Sequence, residues 1–307
     1  MNVSRFADVV MFVVLAVFWG LSFPAISVGL DFVPPLFFAA LRYDVAAVIL
    51  LGYAVFLMDK EAWLPDEPEN IVAVVGGGVF LVAGNGLLFV GQQTVPSGVA
   101  AILQALVPVA TALWAVVLLD ERLSTLGTVG VVVGFLGIAL VVQPEPSNLF
   151  GGDTVGRLII VGQVISVALG GVIIQYAEPT IGRVPLTGWA MLVGSVLLHV
   201  FSFVLGEAPT ADVVAPTAVV AVIYLGVFST ALAFFIYFTI LAENGAFEAS
   251  LVAYAVPLVA TTVSVVFLDE SITVSALVGF GLVAVGFGLL KRNAVVDLLR
   301  TQAAETG

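Results

Sequence analysis

Arg42 and Asp44 stand inside an otherwise apolar run, FFAALRYDVAAVILL. An ionisable group in hydrocarbon costs about 2.5–3.5 kcal/mol on insertion scales, so each needs a partner, water or a function. Two residues apart on a helix, the side chains point to nearly opposite faces and cannot pair with each other. Arg42 can snorkel to headgroups, bond a neighbouring helix end, act as a gate or meet an anionic substrate. Asp44 is the one embedded acid and so the one candidate proton carrier. Gating or coupling is the functional expectation for both, against the alternative of a structural role.

The uncharged polar residues suggest a binding surface. Asn85 and Gln92 are seven apart and share a helix face, while Gln104, Pro108 and Thr111 follow at i, i+4 and i+7. Pro108 also frees a backbone carbonyl in mid-helix, which something polar must satisfy. Pro257 is expected to break its helix likewise, with Tyr254 and Thr261 close by. Trp19 could stack on a substrate. Trp19, Asn85, Gln92, Gln104, Thr111, Tyr254 and Thr261 are therefore the candidate substrate contacts, against the alternative that they hydrogen-bond helix to helix. Gln163, Gln175 and Tyr176 carry the same signal more weakly, and His199 is left unassigned.

Other chemistry lacks its residues. Cysteine is absent and His199 is the single histidine, so thiolate chemistry and a histidine-built metal site have no material. No Walker sequence, HExxH or GxSxG occurs, which leaves ATP-driven pumping and membrane proteolysis without a foundation. No enzyme activity and no cofactor is expected. Asp120-Glu121 and Asp269-Glu270 read as helix-end turns, with Ser124 and Thr273 capping the helices that follow. Gly76-Gly77-Gly78, Gly130-x-x-x-Gly134 and Gly279-x-Gly281 read as close helix approaches.

The elements that carry these residues must be membrane helices. The chain has 307 residues, 61% hydrophobic and 10% charged, with a mean hydropathy of +1.21. Soluble domains run about 45–50% apolar and about 25% charged, so one or two soluble cores could not hide this much apolar surface. A soluble enzyme and a nucleic-acid reader are excluded. Spans of roughly 20 apolar residues are predicted near Val9–Leu30, Pro34–Leu57, Ile71–Gln92, Gly98–Leu119, Leu126–Val142, Val155–Ala177, Pro185–Leu205, Pro216–Ile240, Ala249–Leu268 and Ser275–Leu290. The first run exceeds a signal-peptide core and lacks a clear cleavage site, so it is expected to be a retained helix.

Charge gives orientation and a hint of habitat. Arg5, Lys60, Arg122, Arg183, Lys291, Arg292 and Arg300 fall on one side and Arg157 on the other, which predicts both termini in the cytoplasm of a cell (plasma or inner) membrane. The formal net charge is −12, crowded into loops such as the run from Asp59 to Glu69. Excess carboxylate suits a salt-adapted cell or a cation-attracting function, and the presence of only two lysines favours a halophilic surface.

An offset of 149 residues lays one half on the other: Val107-Pro108 on Val256-Pro257, Leu119-Asp120-Glu121 on Leu268-Asp269-Glu270, Gly137 on Gly286. A shared proline plus an acidic pair at one spacing is not a chance match of Val and Gly. Each half holds five spans, and an odd-numbered repeat inserts its second copy upside down. The expected domains are 1–145 (helices 1–5), 146–292 (helices 6–10) and a short cytoplasmic tail, 293–307. Inverted repeats of this kind bind substrate near the midplane between the halves.

These residues resemble the EamA-type transporters of the drug/metabolite transporter superfamily. The resemblance rests on Phe18-Trp19-Gly20-Leu21-Ser22-Phe23-Pro24, on Ala39-Ala40-Leu41-Arg42, and on Leu106-Val107-Pro108 through Leu119-Asp120-Glu121-Arg122-Leu123-Ser124. It recurs at Ala255-Val256-Pro257 through Asp269-Glu270-Ser271-Ile272-Thr273. The second copy departs in three ways: Ala168-Leu169-Gly170 lacks the tryptophan, Arg42 has no clear partner, and Ser271 replaces the arginine. The resemblance implies an all-α polytopic membrane protein of ten transmembrane helices in two inverted five-helix repeats, with a central cavity for small metabolites.

The resulting expectation is a secondary active transporter, an exporter or permease working by alternating access. Its partners are a small-molecule substrate, amino-acid-like by the character of the polar residues, and the lipid bilayer, with energy from the substrate's own gradient or from H+ or Na+ as coupling ion. It is expected as a monomer or homodimer, with no nucleic-acid partner. The sparse intramembrane charge argues against a multiply phosphorylated substrate. A facilitative channel or lipid scramblase without ion coupling is the alternative.

Overall fold

The computed structural model describes residues 3–143, 152–243 and 246–292. Among them are nine helices long and apolar enough to cross a membrane: α1 Asp8–Gly29, α2 Pro35–Leu57, α3 Pro68–Gly91, α4 Ser97–Leu118, α5 Thr125–Val142, α6 Asp153–Ala177, α7 Arg183–Val204, α8 Pro216–Glu243 and α9 Ala249–Phe267. The shorter α10, Val274–Leu290, completes the set. The protein is an all-α, multi-pass membrane protein of two repeats, and each helix falls within a few residues of its predicted span. The tail from residue 293 and the predicted break at Pro144-Glu145-Pro146 lie outside the described residues.

Local chemistry explains the helix ends. Pro35, Pro68 and Pro216 occupy first-turn positions, where the missing N–H is no loss and the fixed φ suits the helix. Ser124 Oγ accepts from the Gly127 N–H at 3.0 Å and Thr273 Oγ1 from the Ala276 N–H at 3.2 Å, as the sequence predicts. The turns before these caps are copies of each other. Asp120 and Asp269 take left-handed φ values of 53° and 52°, a conformation that aspartate tolerates better than most residues. The Glu121 and Glu270 N–H groups then reach back to the Ala115 and Ser264 carbonyls at 3.4 and 3.2 Å.

The repeats interlock through glycine. Along the α5–α10 crossing, a Cβ on Gly137 would lie 2.6 Å from the Gly279 carbonyl oxygen, and one on Gly279 would lie 2.5 Å from that of Gly137. Gly281 differs from its predicted role, since a Cβ there would meet nothing within 4 Å. The third helix of each repeat contains a π-helical stretch, Gly77–Ala83 in α3 and Tyr224–Leu232 in α8. Each stretch packs on the second helix of the other repeat. A Cβ on Gly78 would lie 2.7 Å from Val193 of α7, and one on Gly226 would lie 2.6 Å from Val45 of α2.

The two prolines act differently. Helix α4 is interrupted between Ser97–Gln104 and Val107–Leu118, with Pro108 in the first turn of the second piece. Helix α9 runs unbroken through Pro257, because packing against neighbouring helices can hold a proline within a membrane helix. Lys60, Arg122, Arg183, Lys291 and Arg292 all belong to one face of this arrangement, termed the basic face below.

Candidate substrate site

A hydrogen-bonded chain of four side chains crosses the bundle. Gln104 on α4 donates its Nε2 to Gln163 Oε1 on α6. Gln163 Nε2 donates to Asn85 Oδ1 on α3 at 2.8 Å, and Asn85 Nδ2 donates to the Tyr43 hydroxyl on α2 at 2.6 Å. Counted along their helices at 1.5 Å per residue, these groups lie about 9–15 Å below the face opposite the basic one. A hydrocarbon core is about 30 Å thick, so the ladder sits well inside it, between that face and the midplane.

Backbone irregularity delivers two of these side chains. The π stretch of α3 ends at Gly84, where the chain turns before restarting at Gly86, and Asn85 occupies that turn. Ser166 Oγ on α6 donates to the Phe80 carbonyl inside the π stretch at 2.8 Å. This fixes α6 against α3, with Gln163 one turn away. Gln104 ends the first piece of α4, at the interruption that precedes Pro108.

Arg42 lies beside the ladder. It is only 7% exposed, and its guanidinium carbon sits 4.6 Å from the centre of the Tyr43 ring and 5.7 Å from that of Phe89. Its Nε is buried without a hydrogen-bond partner, and no ion pair to it occurs among the described residues. Asp44 points elsewhere, to His199 on α7, with Oδ2···Nε2 at 2.7 Å and both side chains more than a third exposed.

The remaining predicted contacts distribute around this centre. Gln92 is 5% exposed and donates to the Phe23 carbonyl of α1 at 3.1 Å, away from Asn85. Thr111 is bonded within its own helix, to the Val107 carbonyl at 2.9 Å. Trp19 packs on Phe234 and Tyr237 of α8, with ring centres 5.9 and 5.5 Å away. Tyr254 lies against Phe280 and Phe287 of α10, its hydroxyl buried and unpartnered. Thr261 marks the α4–α9 crossing, its Cα 3.3 Å from where a Gly98 Cβ would stand. Gln175 and Tyr176 are exposed and take no part.

The site is asymmetric despite the repeat. The 149-residue offset carries Arg42, Tyr43, Asn85, Gln104 and Gln163 onto Met191, Leu192, Phe234, Ala253 and Val14, all apolar. The polar ladder thus belongs to α2, α3, α4 and α6, and the related helices carry apolar residues at the matching positions. Sequence reasoning gave Gln163 too little weight and missed Tyr43. The signal for Tyr43 was its position next to an embedded arginine.

Two further carboxylates join the repeats at the face opposite the basic one. Glu207, after α7, accepts from the Leu36 and Phe37 N–H groups of α2 at 3.0 and 2.9 Å and from Ser202 Oγ at 2.8 Å. Glu270, after α9, accepts from the Ser97 N–H at 3.0 Å, Ser97 Oγ at 2.6 Å and the Gly98 N–H at 3.2 Å. Each fills a helix N-terminus, where unpaired N–H groups favour negative charge.

Nine long apolar helices and a shorter tenth among the described residues, in two repeats, are the architecture of a multi-pass membrane protein, and similarity to known proteins gives its class as a membrane transporter. The EamA-like transporter family matches residues 7–143 and again 154–291, and the chain belongs to that family. It is similar to an uncharacterized transporter of Archaeoglobus fulgidus, 26% identical over 90% of this chain and 95% of that one. An uncharacterized transporter of Bacillus subtilis, YoaV, is 27% identical over 87% and 91%. YedA, an uncharacterized inner membrane transporter of Escherichia coli, is 31% identical over 80% of this chain and 78% of its own. A solved crystal structure 17% identical in sequence superposes with a TM-score of 0.63 over 92% of this chain and 96% of the other, a likeness of fold.

Proposed function

We propose that the protein is a secondary carrier of a cell membrane that moves a small organic metabolite by alternating access. The Tyr43–Asn85–Gln163–Gln104 ladder is its substrate contact. The observation that carries this reading is the ladder itself: four neutral polar groups from four helices, gathered inside the membrane-spanning bundle beside an arginine with no ion pair among the described residues. Interhelical hydrogen bonds in membranes contribute about 0.6 kcal/mol on average, too little for stability alone to account for such a concentration. The amides also offer spare N–H groups and carbonyl lone pairs for a ligand.

Alternating access needs contacts between the repeats that can break. The Glu207 and Glu270 latches are such contacts, because water can replace their amide partners when that face opens. The domains 1–145 and 146–292 would then move relative to each other, with both termini cytoplasmic. The Asp44–His199 pair offers a protonatable element for H+ coupling, and within the membrane a facilitative channel would call for a continuous polar stripe rather than one ladder.

The test is thermal stabilisation of the purified protein, at high salt, by amino acids, purines, organic cations and small organic acids. A selective rise in Tm that disappears in Asn85→Ala and Gln104→Ala, and persists in a loop variant such as Glu61→Ala, supports the carrier site. A folded protein that responds to no compound, or whose response ignores both ladder variants, refutes it.

A further inference from the structure

We infer that Arg42 binds a carboxylate, and that the transported metabolite is a small organic acid held by this one charge. The inference rests on the ladder being the substrate site. An arginine 7% exposed within a membrane helix is expected to have a counter-charge, yet among the described residues Arg42 has no ion pair, and its guanidinium lies against the Tyr43 and Phe89 rings. Rings attract a cation but accept its N–H hydrogen bonds poorly, and the buried Nε has no acceptor.

Among the described residues no acid is paired with Arg42. Asp44, two residues away on the same helix, is taken by His199, and Glu207 and Glu270 are taken by helix N-termini. A ligand carboxylate supplies what the protein does not: two coplanar oxygens that match the guanidinium fork. Tyr43 completes the arrangement. Its hydroxyl oxygen already accepts from Asn85, so its proton remains available to a second acceptor beside Arg42.

The same geometry limits the charge of the cargo. A single cation, with amides as the other polar contacts, matches one negative charge. A phosphorylated or dicarboxylate substrate would call for more. No described acidic side chain bonds to the ladder, so a substrate ammonium has only neutral acceptors such as the Gln104 carbonyl to meet.

The experiment uses the full-length purified protein and matched pairs of probes: phenylacetate with phenylacetamide, lactate with lactamide, and sodium chloride as the inorganic arm. At least one acid is expected to raise Tm while its amide and chloride, at equal concentration, do not. Arg42→Lys, which keeps the charge but loses the planar fork, should weaken that acid tenfold or more, and Arg42→Gln should abolish its effect. Should Arg42→Gln fail to fold, phenylglyoxal labelling of the wild type at Arg42, read by mass spectrometry, must be slowed by the stabilising acid and not by its amide. The inference falls if amide and acid act equally, if chloride acts as well as the acids, if folded Arg42→Gln keeps the response, or if no acid acts. In that last case, stabilisation by a neutral metabolite that depends on Asn85 would leave the carrier site standing, whereas silence across every class would remove both.

Discussion

Removing the Glu270 carboxylate should open the face opposite the basic one. The group accepts three hydrogen bonds at the start of α4, between the fully buried Ser97 and the α9–α10 turn. Hydrogen bonds to charged groups contribute about 1.5–3 kcal/mol each, but water would take over part of every one in an opened state. A net loss of about 2–3 kcal/mol for the closed arrangement follows, the remainder being non-additive. At 1.4 kcal/mol per tenfold change, the open population rises roughly 30- to 140-fold in Glu270→Ala. Glu270→Gln, which keeps one acceptor oxygen, should change it by less than about tenfold. The chain has no cysteine, so a single Ala260→Cys, fully buried one turn from Ser264, reports opening directly. Its maleimide labelling rate in membranes should follow the open population, provided opening limits access. Equal rates in the Glu270→Ala and wild-type backgrounds would show that the latch does not hold that face closed.

Three further outcomes follow from the packing. Gly137→Ala places a Cβ 2.6 Å from a backbone oxygen of α10, whereas Gly281→Ala meets nothing within 4 Å. The first should lower Tm strongly, and the second should leave Tm unchanged or raise it, adding up to about 1 kcal/mol of stability. Ser124→Ala and Thr273→Ala each remove a helix cap, and each should cost about 1 kcal/mol in reversible unfolding. His199→Ala leaves Asp44 without its partner and should destabilise more than the double variant with Asp44→Ala, a non-additivity that a thermal double-mutant cycle reads.

The parts legible in the sequence were those encoded locally. Spans follow from apolar length, and the caps at Ser124 and Thr273 from residue type at a helix start. The repeat was visible because Asp120-Glu121 and Asp269-Glu270 build the same left-handed turn twice. The candidate site was half legible. Asn85 and Gln104 were singled out, but their partners Tyr43 and Gln163 are set by which helices touch, and single-chain periodicity carries no such information. Gln92 caps the helix that carries Asn85 yet serves α1, because a shared face does not mean a shared neighbour. Pro257 shows the same limit. The residue weakens a helix intrinsically, and whether the helix breaks depends on the packing around it.

Counterflow in proteoliposomes tests the central claim most directly. Vesicles are loaded with the compound that stabilises the protein best, and a trace of the same compound, radiolabelled, is added outside. A carrier working through the ladder accumulates label transiently above equilibrium, and Asn85→Ala with Gln104→Ala abolishes the overshoot in folded protein. Label that enters only to equilibrium, or an overshoot that survives in the double variant, would contradict the account.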